Sequence, residues 1–164
     1  MEELARLVEL AERVQLMLVE RRLTLSSAES CTGGLFGHVV TEVAGSSDYY
    51  VGGIISYSDE LKREQLGVDP LTIEKHGAVS AQTCVAMADG ARRRYRSSMA
   101  VAVTGIAGPG GGSDSKPVGL TYIGLADENG QDVRRHAWQG DRHSNKVESV
   151  AACLELIVER LSKA

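Results

Sequence analysis

The sequence predicts an α/β domain in three layers, α/β/α, with helices on both faces of a mixed, mostly parallel sheet of five strands. Three observations predict it. Helical and strand-like periodicities alternate along the chain, Met99 to Val103 is continuously apolar as a central strand buried on both faces should be, and Asn129-Gly130 is a hairpin turn signal. The 164 residues suit one domain, 1–164, and 43% hydrophobic with 24% charged residues excludes a disordered chain. With five Tyr, one Phe and one Trp, the core must come from Leu, Val, Ile and Ala.

The elements follow in order. Leu4, Leu7, Val8, Ala11, Val14 and Leu18 recur at helical spacing, so residues 3–21 form an amphipathic helix, and residues 23–28 form the first strand. A short helix over 32–43 is expected to begin at Thr32-Gly33-Gly34, and Ala44-Gly45-Ser46-Ser47 punctuates it before a second strand over 49–57. Ser58 caps a helix through Leu66, a further helix after Asp69-Pro70 ends near His76-Gly77, and Ser80 opens one in which Cys84, Ala88, Ala91 and Tyr95 share a face. The strand at 99–103 gives way to a glycine-rich loop from Gly105 to Lys116, the hairpin strands cover 118–126 and 131–138, and Val147, Val150, Ala151, Leu154, Val158 and Leu161 mark a closing helix. Parallel neighbours need crossovers, which the helices supply, while the last strands can pair directly.

The net charge of −4 argues against a dedicated nucleic-acid surface, and Arg92-Arg93-Arg94 reads as the solvated last turn of a helix. Cys31, Cys84 and Cys153 are widely spaced with no CxxC pair, and His38, His76, His136 and His143 form no partner pattern, so the sequence offers no metal site. No basic, apolar leader opens the chain and no segment approaches the ~20 apolar residues of a membrane span. A cytoplasmic protein with reduced thiols and no membrane contact is expected. Apolar residues on the outer helices make a homodimer the expected assembly.

Two segments carry the chemistry. Ala28-Glu29-Ser30-Cys31-Thr32-Gly33-Gly34 and Tyr57-Ser58-Asp59-Glu60-Leu61-Lys62 each put a reactive side chain where a strand gives way to a helix, the junction at which open α/β sheets bind ligands. Ser30 and Lys62 read as a nucleophile and its base. Each has a plainer reading: Ser30 or Thr32 as a helix cap, Lys62 as a helical lysine paired with Asp59 or Glu60. Cys31 competes as nucleophile. A base role needs a lowered pKa, because an ordinary lysine is only about 0.04% neutral at pH 7, roughly 4.6 kcal/mol from the free amine. The first turn of a helix supplies one cause and desolvation by a ligand another. Tyr57 is placed to pass a proton or simply to pack. The loop from Thr104 to Pro117 lacks the Gly-Lys-Ser/Thr of a Walker A motif, though its glycines permit close approach to a ligand. Gly140-Asp141-Arg142 reads equally as an ordinary capped helix start or as an anion site, with Arg142 offering a bidentate fork for a phosphate.

Taken together with Ala44-Gly45-Ser46-Ser47, His76-Gly77-Ala78-Val79-Ser80, Thr104-Gly105-Ile106-Ala107-Gly108-Pro109 and Lys116-Pro117-Val118-Gly119, these segments resemble the CinA C-terminal domain family along essentially the whole chain. The resemblance implies an anticodon-binding-domain-like fold and a nicotinamide-nucleotide amidase, hydrolysing the carboxamide of nicotinamide mononucleotide to the acid and ammonia in pyridine-nucleotide salvage. It implies Ser30 as nucleophile, Lys62 as general base and Tyr57 as helper in proton transfer, through an acyl-enzyme. Thr32, Gly33, Gly34, Thr104, Gly105 and Ile106 are expected to hold the nicotinamide or its oxyanion, and Arg142 the phosphate. No cofactor is expected: many family members carry an N-terminal metal-dependent pyrophosphatase domain, and this chain starts too late to include one. Two rival classes stand beside the enzyme, a nucleotide-binding module without turnover and a competence- or recombination-related interaction protein.

Overall fold

The pattern of side chains along the central strand decides how the layers stack. In β3 (Met99–Gly105), Met99, Val101 and Val103 point to one face while Ala100 and Ala102 point to the other. The larger side chains meet a thick apolar layer, and the alanine face lets a helix of small residues lie close to the sheet. Over the first face pack α1 (Glu2–Arg21), α2 (Leu35–Glu42) and α6 (Arg142–Ser162), with Leu7, Val14, Leu18, Phe36, Val150, Leu154 and Ile157 fully buried. Each such side chain contributes about 1.5–3 kcal/mol by leaving water. Over the second lie α3 (Asp59–Leu66), α4 (Pro70–His76) and α5 (Ala81–Tyr95), with Cys84, Met87, Ala88 and Ala91 against Ala28, Ala100, Ala102 and Ala126. At Gly90 a Cβ would run into the carbonyl of Leu66, so the glycine sets how closely α3 approaches α5.

The computed structural model describes residues 1–163. Its sheet runs β2 (Tyr50–Ile55), β1 (Leu25–Glu29), β3, β4 (Leu120–Asp127), β5 (Gly130–Ala137). Of the four pairings, β1–β2 and β1–β3 are parallel while β3–β4 and β4–β5 are antiparallel, so only β4 runs against the other four strands. The element order and both crossovers are as the sequence predicts. Strand ends differ by a few residues, and one difference touches the site. Helix α2 begins at Leu35 rather than at Thr32, because Gly33 and Gly34 take positive φ values of 60° and 102° and form a turn ahead of it.

Because the chain leaves β1 toward β2 through α2 and returns from β2 to β3 over the opposite face, the strand order reverses at β1. The crevice outside the carboxyl ends of the strands opens there. Among the described residues no helix is long and apolar enough to cross a membrane.

Candidate active site

Ser30 follows the last residue of β1, with its own N–H donated to the Val103 carbonyl at 3.0 Å. Lys62 reaches it from α3. The Ser58 hydroxyl accepts from the Leu61 N–H and fixes the start of that helix, which puts Lys62 at the end of its first turn. From there the side chain runs back past the N-terminus of α3. Its Nζ lies 3.0 Å from Ser30 Oγ, 2.6 Å from the Ser56 carbonyl oxygen and 3.4 Å from that of Tyr57.

Lys62 is only 1% exposed and Ser30 8%. No carboxylate stands within ion-pair distance of the amine among the described residues. Burial pushes its pKa below the ordinary value of 10.5, opposed by the negative charge of Asp59 and by Cys31. A neutral amine has two N–H bonds and one lone pair. With the amine neutral, the two carbonyls can take the N–H bonds and leave the lone pair for the Ser30 hydroxyl; protonated, the same nitrogen donates to Ser30 Oγ.

The neighbouring thiol is in a different state. Cys31 is buried and desolvation drives its pKa up to about 12, so it carries no thiolate at neutral pH.

A cleft of about 290 Å³ opens over the pair, lined among others by Ser30, Cys31, Tyr57, Lys62, Thr104 and Arg142. Gly105 and Ile106 line it too, and so do the glycines at 108, 110 and 111. Thr104 is held from behind, its hydroxyl donating to the Ala78 carbonyl at 2.9 Å. Asn145 of α6 donates to the Ala107 carbonyl and accepts from the Gly140 N–H, each at 3.0 Å, tying the glycine-rich loop to the start of α6. Arg142 crosses the rim, with Nη1 on the Gly108 carbonyl at 2.7 Å and Nη2 on the Tyr57 hydroxyl at 3.2 Å. Beyond it a second compartment of about 490 Å³ shares Ala107 and Arg142 with the first.

Four expected site residues stand otherwise than their expected roles require. Tyr57 is 60% exposed with its phenol on Arg142, and only its main-chain carbonyl touches the amine. Thr32, Gly33 and Gly34 fall outside the cleft lining. The reason is Glu29, which sequence reasoning passed over. Its buried carboxylate accepts the Thr32 hydroxyl at 2.7 Å, the Phe36 N–H at 2.9 Å and the Gly37 N–H at 3.2 Å. The first free amides of α2 are therefore already filled by an anion from the protein itself. Nor is Ile106 N–H available, being donated to the Leu120 carbonyl. Among the described residues no three His, Cys, Asp or Glu side chains group as metal ligands.

A model of the CinA C-terminal domain matches residues 7–161. The chain belongs to the CinA C-terminal domain family. A CinA-like protein of Chlorobaculum tepidum is 45% identical over 161 residues, which is 95% of this chain and 38% of that one. Another, from Geobacter, is 51% identical over 134 residues, 82% of this chain and 32% of its own length. The chain thus spans about a third of the length of the curated relatives it matches. Among solved structures, the competence/damage inducible protein CihA of Agrobacterium tumefaciens superposes with a TM-score of 0.90 at 42% identity, covering 96% of both chains. A CinA-superfamily protein of Klebsiella pneumoniae gives 0.93 at 30% identity, covering 96% of this chain and 99% of that one.

Proposed function

We propose that this CinA-family domain is a serine hydrolase of the carboxamide of nicotinamide mononucleotide, with Ser30 as nucleophile and Lys62 as general base. The observation that carries the reading is the Lys62 amine, buried without a carboxylate partner and 3.0 Å from the Ser30 hydroxyl on the floor of an open cleft. Burial favours its neutral form, and the neutral amine can take the hydroxyl proton as Ser30 Oγ attacks the amide carbon. The tetrahedral adduct then expels ammonia, with the proton returned from Lys62 to the leaving nitrogen. Water, deprotonated by the same amine, cleaves the resulting ester to give the carboxylic acid and free Ser30.

The Cys31 N–H, one residue past the nucleophile, makes no main-chain hydrogen bond among the described residues and is the donor we assign to the oxyanion. Thr104, Gly105 and Ile106 would hold the ring. Arg142 spends two of its five N–H donors at the rim and keeps others for a phosphate over the second compartment. Tyr57 acts through its carbonyl on Lys62 and through its phenol on Arg142. The working protein in this reading is cytoplasmic, handles a small nucleotide without a cofactor, makes no direct nucleic-acid contact at a net charge of −4, and is a homodimer.

Ammonia release from nicotinamide mononucleotide by the wild type beside Ser30→Ala and Lys62→Met tests the reading. Turnover in the wild type alone is expected. Tight nucleotide binding without ammonia would replace the enzyme by a binding module.

A further inference from the structure

We infer that Glu29 is the positioning residue of the site: its side chain sets where Ser30 stands and its main chain sets where Lys62 stands. The inference rests on Ser30 and Lys62 acting as the pair proposed above.

Burying a carboxylate costs several kcal/mol unless hydrogen bonds and dipoles compensate, and Glu29 is 4% exposed with no cationic partner within ion-pair distance among the described residues. Compensation comes from the positive end of α2 and from three donors, Thr32 Oγ1, Phe36 N and Gly37 N. All three belong to the turn and helix that Ser30 leads into. The carboxylate therefore staples that segment back onto the end of β1, across the residue that carries the nucleophile. The Ser30 N–H bond to Val103 fixes the other side.

The Glu29 carbonyl works in the other direction. It accepts the Ser56 N–H at 2.8 Å and the Ser56 hydroxyl at 3.3 Å, and the Ser56 carbonyl in turn accepts from Lys62 Nζ at 2.6 Å. One residue thus references both halves of the pair to the same point of the sheet. A helix cap serving stability alone would not need this double tie. A displacement of about 1 Å at a reacting atom can cost on the order of a hundredfold in rate.

The test uses the full chain with Glu29→Gln and Glu29→Ala, measuring kcat and KM for nicotinamide mononucleotide, Tm, the rate at which a fluorophosphonate labels Ser30, and the Ser30–Lys62 separation in crystals. E29Q keeps an oxygen for Thr32 and Phe36 and loses the Gly37 acceptor. It should lower kcat about tenfold with KM and Tm near wild type, and E29A should lower kcat on the order of a hundredfold with the pair no longer in hydrogen-bond contact. E29A labelling within twofold of wild type, with the pair still at its present separation, would overturn the proposal. So would a kcat loss that merely follows the unfolded fraction. Should the wild type release no ammonia, the amidase reading fails, and Ser30 labelling together with the crystal separation still decides the role of Glu29.

Discussion

Where α1, α5 and α6 end, a cavity of about 500 Å³ is lined by Arg21, Arg92, Arg160 and Lys163, while at the opposite end of the sheet the 290 Å³ cleft holds Lys62. The larger cavity has the more charge and the less chemistry. Arg160 makes a two-point bond to Asp127 at 2.7 and 2.8 Å, Lys163 pairs with Glu159, Arg21 donates to the carbonyls of Met17 and Leu161, and Arg92 to that of Ser98. Opposite charge favours the ionised forms of Arg160 and Asp127, and Arg160 holds the Asp127 carboxyl below its ordinary pKa. Lys62 has neutral oxygens only, and burial moves its pKa down. What sets Lys62 apart is a buried amine with no carboxylate beside it, and the smaller cavity holds it.

The contrast can be broken from either end. Lys62→Met, which keeps the buried stem and deletes the amine, should cut turnover by at least about a thousandfold, in line with the loss of a general base acting with its nucleophile as a unit, while Tm stays or rises. Arg160→Ala should do the reverse, removing about 1–2 kcal/mol of stability by denaturant titration and leaving kcat unchanged. The pH profiles of stability should differ in the same way. Asp127, with its pKa lowered from 3.8, contributes stability that is present above that value and lost as pH falls below it, so R160A should flatten the acid side. Lys62, lowered from 10.5, is protonated in the unfolded chain before the folded one. Wild-type stability should therefore gain as pH rises toward 10.5, and K62M should abolish that gain.

Smaller effects sharpen the picture of the cleft. Tyr57→Phe removes the acceptor of Arg142 and leaves the Lys62 contact intact, so KM should rise by less than about tenfold with kcat near wild type. Cys31→Ala should change kcat by no more than about twofold, because a thiol with a pKa near 12 has no thiolate to lose.

Much of this was legible in the chain. The continuous apolar run Met99–Val103 marks a central strand buried on both faces, and the Ser58 cap places Lys62 in the first turn of its helix, as spacing alone indicates. Ser30 at a strand end follows from the same logic. What escaped the sequence is the competition for the α2 N-terminus. A turn at Thr32-Gly33-Gly34 reads as an anion site until the Glu29 carboxylate is seen filling the amides behind it, and no local pattern reveals that a strand residue folds its side chain forward to do so. The direction of the Tyr57 phenol was likewise beyond reach, since its partner Arg142 lies 85 residues away in sequence.

If Lys62 is the base of the proposed reaction, burial without a carboxylate partner must favour its neutral amine. NMR titration of the Lys62 side-chain nitrogen in the folded protein, assigned by loss of its signal in K62M, tests this most directly. A pKa clearly below the ordinary 10.5 is expected; an ammonium that persists to 10.5 or above would overturn Lys62 as a base.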